Sequence, residues 1–235
     1  MAADCAPRFE LIVGLHDVAE RPDARGDELS SWVPFSEAEP VLDALVARCR
    51  QTGVRLRITS DDGFRSDYER LTPWLLDRGL TGTFFVPSRF IDRSGRLSAS
   101  DLRELVSLGM DIGVHGARHV NWATMPAAEF AEDVREGRAA LEQIIGRAVD
   151  MVALPFGGFN ARVLDHLVAE GFSEIHTSRS GLALSAVALK PRNMIKPGNV
   201  EAVLALGHRR GGWSDAARCR LRRLATGLKS RIARS

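Results

Sequence analysis

Cysteine is scarce in this sequence, and long apolar runs are absent. The three cysteines, Cys5, Cys49 and Cys219, lie far apart and have no metal-binding or redox spacing. Free thiols suit a reducing compartment, so we expect a cytoplasmic protein. No segment approaches the roughly 18 apolar residues that a membrane-spanning helix needs. The first residues lack a basic region followed by a long apolar core, and we therefore expect no signal peptide.

An excess of positive charge is absent from most of the chain. The formal net charge is +2, yet residues 208–235 contain nine Arg or Lys and a single acid, Asp215. Of the 32 basic and 30 acidic residues in the whole chain, 23 basic and 29 acidic residues lie elsewhere. A folded body with this negative balance does not offer a general nucleic-acid surface. We predict no nucleic-acid partner.

The remaining composition is typical of a globular protein. With 235 residues, 45% of them hydrophobic and 26% charged, the chain can form one substantial core. Strand-like segments alternate with segments of helical periodicity that end at a glycine, and Ser36 with Glu39 has the spacing of a capping box. The predicted strands are Glu10–Leu15, Val54–Thr59, Thr83–Val86, Asp111–His115, Met151–Phe156, Ser173–Thr177 and Val187–Lys190. The predicted helices begin near Ser36, Ser66, Ser98, Pro126 and Asn160 and end at Gly53, Gly79, Gly109, Gly146 and Gly171.

This alternation of strands and helices predicts a mostly parallel α/β sheet that is covered on both faces. An open doubly wound sheet and a closed barrel would give the same order of elements. The polar residues separate them, because Asp61, Asp62, His115, His119 and the Pro155-Phe156-Gly157 turn lie at carboxyl ends of different predicted strands. In a barrel those ends converge on one mouth. We therefore favour the closed barrel.

Two pairs of residues suggest a metal site at that mouth. Asp61 and Asp62 follow one strand, and His115 and His119 have a spacing that allows them to share one cation. Adjacent strand residues point to opposite sides, so the two carboxylates can have different tasks. Two imidazoles and one carboxylate suit Zn²⁺ or a similar divalent ion and leave a position for water. A second carboxylate could then act as general base.

Each motif taken alone also has a structural explanation. Asp-Asp-Gly is common in turns, and two histidines spaced four residues apart need a structural context before they indicate a metal. Their joint occurrence at strand ends, with the Pro-Phe-Gly turn in a matching position, favours the metal site.

The same segments resemble the polysaccharide deacetylases (carbohydrate esterase family four, the nodulation-type deacetylase domain). The resemblance covers residues 10–195 and rests on four segments taken together. They are ITSDDGFRSDYE from Ile58, TGTFFVPSRFI from Thr81, DIGVHGARHVNW from Asp111 and ALPFGGFNARVLDHL from Ala153.

The resemblance implies a single-domain, distorted (β/α)7 TIM-like barrel over residues 1–200 and one divalent metal ion. We expect Zn²⁺, with Co²⁺, Ni²⁺ or Fe²⁺ as alternatives, and the removal of acetyl groups from an N-acetylated sugar or polysaccharide. Carried over by motif, Asp61 is the general base, and the metal ligands are Asp62, His115 and His119.

The resemblance also assigns the groups on the opposite side of the substrate. The oxyanion and substrate turn is Pro155, Phe156 and Gly157, in which the Phe156 N–H is the donor because Pro155 has none. One branch of the family takes its catalytic acid from an early Tyr-His motif. Leu15-His16-Asp17-Val18 is similar, so His16 is the candidate acid.

Four positions depart from the family pattern. Ser60 replaces an aromatic residue before the acid pair, which we expect to loosen one wall of the site. Gly116 replaces a hydroxyl residue that would brace the histidine loop. Ala153 stands where many members have an arginine, so we expect the base to lack its orienting partner. A late Leu-x-x-His motif is not apparent, since Met194-Ile195-Lys196 follows Asn193.

Residues 201–235 read as a basic amphipathic helical tail. Contact with a membrane surface is one interpretation, which gains weight if the carbohydrate substrate is lipid-linked, and docking on the barrel is the other. Two further functions stay open: an amidohydrolase of the same superfamily acting on a small cyclic imide or ureide, and a carbohydrate-binding protein without catalysis.

Overall fold

The computed structural model describes residues 9–22 and 26–206. Nine strands occur in this part of the chain: β1 Phe9–Leu15, β2 Arg55–Asp61, β3 Gly82–Val86, β4 Asp111–Val114, β5 Met151–Ala153, β6 Glu174–Thr177, β7 Ala183–Leu184, β8 Leu189–Pro191 and β9 Asn193–Met194. Six α-helices occur beside them: α1 Phe35–Thr52, α2 Thr72–Asp77, α3 Ala99–Ser107, α4 Ala127–Ile145, α5 Ala161–Ala169 and α6 Val200–Leu206. A π-helical turn, Asp67–Leu71, leads into α2.

Helix ends follow the residues that cap them. All five glycines predicted to end helices have positive φ, which costs glycine little because it has no Cβ. Ser98 accepts a hydrogen bond from the Asp101 N–H and completes a capping box, and Asn160 caps α5 in a similar way. The box expected from Ser36 is wrong, because α1 begins after Pro34 and the Ser36 hydroxyl donates to Glu20 instead.

The sheet is a nearly closed barrel, as predicted. Strands β1 to β6 pair in sequence order and in parallel, and β8 pairs with β6. The segment that carries β8 continues into β9, which pairs with β1 and so connects the β8 edge of the sheet with β1. The open doubly wound alternative is therefore excluded. Strand β7 adds a short antiparallel pairing to β1.

Apolar residues of the strands pack outward against the helices, whereas the barrel interior is strongly polar. At the amino ends of the strands, the Lys190 ammonium lies 3.3 Å from the Glu10 carboxylate and 3.5 Å from Glu174. Arg57 contacts the same two acids at 3.6 and 2.8 Å. One layer higher, buried His176 packs on the Phe85 ring. Buried charges need such partners, because an unpaired charge in the interior is costly.

The end of the described chain lies against the barrel. Helix α6 packs on α1, and its last six residues fall at the start of the segment predicted to be the tail. The rest of that tail lies outside the described residues, so its amphipathic helix and its contact with a membrane stay predictions. Within residues 9–22 and 26–206, the helices are too short or too polar to cross a bilayer.

Candidate active site

A cavity of about 550 Å³ opens at the carboxyl ends of the strands. It brings together six of the eight residues predicted for the site: His16, Asp61, Asp62, His115, His119 and Phe156. Pro155 and Gly157 flank Phe156 without lining the cavity themselves. A second cavity of about 460 Å³ lies near the amino ends of β2 and β3 and contains no predicted site residue.

Asp62, His115 and His119 form a compact cluster of possible metal ligands. The Asp62 Oδ1 atom lies 3.1 Å from His119 Nε2 and 3.4 Å from His115 Nε2. One ligand atom from each residue lies within 4.8 Å of the other two. A carboxylate with two imidazoles is a donor set typical of Zn²⁺ and similar divalent ions.

The orientation of the cluster fits a shared cation better than mutual hydrogen bonds. His115 Nδ1 lies 3.0 Å from the Ala153 carbonyl, to which it can only donate, so in the neutral ring Nε2 carries the lone pair that could bind a metal. Asp62 Oδ1 is buried and accepts no hydrogen bond of good geometry from the described residues, despite the short distances to both rings. One divalent cation placed among the three residues could accept an electron pair from each of them.

Burial and charge set the protonation of these groups. Burial, reinforced by the neighbouring His115, lowers the pKa of His119 to about 4, so this ring is neutral at pH 7. Burial also opposes charge on His115, but Asp61 and Asp62 outweigh it and raise the pKa of that ring. The pKa of Asp62 falls despite burial, because the imidazoles of His115, His119 and His16 lie close to its carboxylate and favour the ionised form.

Asp61 points into the barrel and forms a bidentate pair with Arg192. The two guanidinium nitrogens lie 2.6 and 2.7 Å from its two carboxylate oxygens, and Arg192 is fully buried. Arg192 is itself held by the Thr177 carbonyl and the Thr59 hydroxyl. Burial would raise the pKa of Asp61, but the Arg192 charge lowers it overall. The expectation that Asp61 lacks an orienting partner is therefore wrong: the arginine comes from the β8–β9 segment rather than from position 153.

The Pro155-Phe156-Gly157 turn follows β5 and presents Phe156 to the cavity. The Phe156 side chain is 62% exposed and lies against the His119 ring, with the two ring centres 4.6 Å apart. The Gly157 and Gly158 N–H groups bond back to the turn, whereas no acceptor for the Phe156 N–H occurs in residues 9–22 and 26–206. This N–H is the one amide of the turn left to bind a ligand.

Backbone strain is concentrated at this site. Four non-glycine residues of the described chain have positive φ, and three of them are Asp62, His119 and Phe156; the fourth is Asp92. Such conformations cost about 1–3 kcal/mol each and persist where the surroundings impose them. At Asp62, the Arg96 guanidinium contributes by donating to its carbonyl at 3.0 Å.

His16 follows β1 and faces both carboxylates across the cavity. Its Nδ1 atom is buried, and none of the described residues offers it a hydrogen-bond partner. Burial lowers the pKa of His16, although Asp62 and Asp61 pull in the opposite direction. The imidazole is therefore neutral at pH 7 and can take up a proton during a reaction.

The loop between the two histidines is braced by helix α4 rather than by a hydroxyl at position 116. The buried Asp133 carboxylate accepts from the Arg118 and Ala117 amides, at 3.1 and 3.3 Å, and from the Trp122 indole, at 2.9 Å. Gly116 has φ +76°, and a Cβ there would lie 2.5 Å from the Asp133 carboxylate. The Asp133 carboxylate braces the loop in place of the missing hydroxyl and leaves no room for a side chain at position 116. A glycine is therefore required there.

The Ser60 side chain also makes a polar contact, which fills the space behind the acid pair. Its hydroxyl donates to the Asp67 carboxylate at 2.6 Å, and both residues are buried. Burial raises the pKa of Asp67 well above its ordinary value. The wall behind the acid pair is a packed polar contact, so the expected loosening at Ser60 is not seen.

Comparison with known proteins adds an independent line of evidence. The family model for polysaccharide deacetylase matches residues 50–175, more than half of the chain. The YxkH protein of Bacillus subtilis (strain 168), provisionally named a polysaccharide deacetylase, is 21% identical over 126 residues. That match covers 54% of this chain and 45% of the relative, so the chain spans about half the length of this curated relative.

Solved structures share the fold. IcaB from Ammonifex degensii superposes with a TM-score of 0.72 at 23% identity, covering 86% of this chain and 98% of that one. The Streptococcus pyogenes deacetylase PplD, determined in complex with acetate, gives a TM-score of 0.68 at 16% identity, covering 85% and 98%. With the match over residues 50–175, the conclusion is that the chain belongs to the polysaccharide deacetylase family.

Proposed function

We propose that this protein is a metal-dependent hydrolase that removes acetyl groups from an N-acetylated sugar or polysaccharide. The observation that carries the proposal is the convergence of Asp62, His115 and His119 on one point beside Asp61, within one cavity. Family membership supports a carbohydrate as substrate.

Asp62, His115 and His119 would hold one divalent ion, with Zn²⁺ expected and Co²⁺, Ni²⁺ or Fe²⁺ as alternatives. When bound, such an ion polarises a carbonyl group and makes water a stronger acid. The chain fixes the ligands in advance, because His115 is oriented by Ala153 and the loop that carries His119 is braced by Asp133.

Asp61 would accept the proton of the attacking water. It lies beside the metal ligands, with its Oδ2 atom 3.9 Å from His115 Nε2. The bidentate pair with Arg192 fixes the plane of the carboxylate and keeps it ionised, which a base requires. Water then attacks the acetyl carbonyl from the side of Asp61.

Two groups complete the hydrolysis. The Phe156 N–H would donate to the carbonyl oxygen as negative charge develops there. His16 would receive the proton that Asp61 takes from the water and deliver it to the sugar nitrogen as the C–N bond breaks. It lines the cavity and has a ring nitrogen without a hydrogen-bond partner among the described residues. One water and one acetamide are consumed, and acetate and a free amine are released.

Three departures from the family pattern, at Ser60, at Gly116 and at the missing late histidine, would favour the alternative of a carbohydrate-binding protein without catalysis. Asp67 and Asp133 now explain the first two residues as parts of a packed site. His16 lines the cavity and is a candidate for the role of the missing late histidine. These observations favour an intact hydrolytic site over a degenerate one.

An Asp61→Asn variant tests the assignment of the base. We expect acetate release from N-acetylglucosamine oligomers to fall about 10²–10⁴-fold, the range for loss of one acid–base group, while the bound metal remains. Asp77→Asn, which changes an exposed aspartate on α2, is the matched control and should behave as wild type. Full turnover by Asp61→Asn would sink this mechanism.

A further inference from the structure

Lys196 is a cationic side chain at the cavity that the proposed hydrolysis does not use. It follows β9 and lines the same cavity as Asp61, His119 and Phe156. The chain has only three lysines, of which Lys190 is fully buried among acids and Lys229 lies outside the described residues. Lys196 is half-buried and borders the space that a substrate would enter.

The backbone around Lys196 is fixed by hydrogen bonds. The Lys196 N–H donates to the Asn199 side chain at 2.8 Å, and the Asn199 amide donates back to the Met194 carbonyl at 2.7 Å. The Ile195 N–H donates to the Gly14 carbonyl of β1 at 2.8 Å. The turn is thereby tied to the strand that carries His16, so the base of the Lys196 side chain holds a set position at the cavity.

Lys196 forms no ion pair with the side chains that the structure describes. Among the side chains of residues 9–22, 29–199 and 202–205, no carboxylate lies within ion-pair distance of its ammonium, in contrast to Lys190 and Arg192. The two carboxylates of the cavity have other partners, since Asp61 is paired with Arg192 and Asp62 lies between the histidines. A half-buried cation that borders a cavity attracts an anionic ligand into that cavity.

We propose that Lys196 forms an anion subsite beside the acetyl site, and that the substrate carries a carboxylate or a phosphate close to its acetylated nitrogen. The inference rests on the proposed function and narrows its substrate class from acetylated sugars in general to anionic ones. The Ser178 and Ser31 side chains line the same cavity and supply hydroxyls that can donate to the same anion.

The test compares anionic and neutral substrates with the metal-loaded protein. The probes are N-acetylglucosamine 1-phosphate for phosphate, N-acetylmuramic acid for carboxylate, and N-acetylglucosamine as the neutral reference. In the wild type, kcat/KM should favour at least one anionic probe by about tenfold, the scale of one charge-assisted hydrogen bond. Lys196→Met should remove that preference through KM, and Arg103→Gln, which deletes an exposed charge on α3, should keep it.

Chemical labelling gives a readout that does not depend on turnover. An amine-reactive reagent followed by mass spectrometry reports on Lys196 separately from the other two lysines. The favoured anionic probe should protect Lys196, and N-acetylglucosamine should not. If no probe is deacetylated, the proposed function fails while protection still tests the subsite. The same preference in Lys196→Met as in wild type, or equal protection by neutral and anionic probes, overturns the proposal.

Discussion

At the scale of single residues, the site combines strain with exposure. Phe156 shows both, because it has φ +57° and an aromatic ring that is 62% exposed. Stability alone would favour glycine there, since glycine adopts positive φ without a steric penalty. The retained ring contacts His119 and forms part of the cavity, which is consistent with a functional reason for the strain.

Two substitutions at Phe156 separate strain from the loss of the ring. Phe156→Ala removes the ring but keeps a Cβ at positive φ, whereas Phe156→Gly removes both. We expect the free energy of unfolding, measured by urea denaturation, to be about 1 kcal/mol higher for the glycine variant than for the alanine variant. Both should deacetylate more slowly than wild type. Equal stability of the two variants would show that residue 156 is not strained.

Local sequence patterns revealed the candidate ligands but not the residues that hold them. Asp61, Asp62, His115 and His119 lie in short motifs with recognisable spacing. Arg192 pairs with Asp61 across 131 positions of sequence, so no periodicity or spacing links the two. The signal that could have found it is an arginine next to a strand predicted to be buried, since a buried arginine requires an acid partner.

At the scale of elements, helix α4 holds the histidine loop in place. Its Gly137 lets the helix approach the loop so closely that a Cβ there would lie 2.7 Å from the Gly116 backbone. One turn earlier, Asp133 accepts the amides of Ala117 and Arg118. Helix and loop therefore act as one rigid unit that orients His119.

Asp133→Asn tests this coupling through metal affinity. The amide offers one acceptor oxygen instead of two, which leaves donors of the loop unpaired and lets His119 move. We expect the dissociation constant for Zn²⁺, measured by titration of metal-depleted protein, to rise about 10–100-fold, as for other groups that orient metal ligands.

Glu132→Gln is the control for that substitution, because Glu132 is exposed, adjacent to Asp133 on α4 and, among the described residues, ion-paired with Arg135 alone. It should bind Zn²⁺ as tightly as the wild type does. Equal affinity of the Asp133→Asn and Glu132→Gln variants would show that α4 does not position the ligand loop.

The predicted elements match the structure where their physical signals are local. Helical periodicity and terminal glycines identified α1 and the helices α3 to α5, and short apolar segments identified β1 to β6. Strands β7 and β9 were missed because two residues carry no pattern of their own and exist only by pairing with β1. The π-helical turn Asp67–Leu71 was also missed, because it depends on a contact with another element. Its buried Asp67 carboxylate accepts a hydrogen bond from Ser60 of β2.

At the scale of the whole molecule, a polar barrel interior connects the scaffold to the site. Glu10, Arg57, Glu174 and Lys190 pair at the amino ends of the strands, and Arg192 with Asp61 continues the charged interior towards the mouth. The barrel and its cavity could be predicted from the alternation of strands and helices and from the polar residues at the strand ends. The ion pairs of the interior could not be predicted, because their partners come from four strands and meet only once the barrel closes.

The central claim is that one divalent ion, held by Asp62, His115 and His119, is required for deacetylation. The most direct measurement titrates Zn²⁺ into metal-depleted protein while acetate release from N-acetylglucosamine oligomers is followed. We expect the rate to be near zero without metal, to rise in proportion to added Zn²⁺ and to level off at about one equivalent. Acetate release that is equally fast in the metal-depleted protein, or that does not respond to Zn²⁺, Co²⁺, Ni²⁺ or Fe²⁺, would contradict the claim.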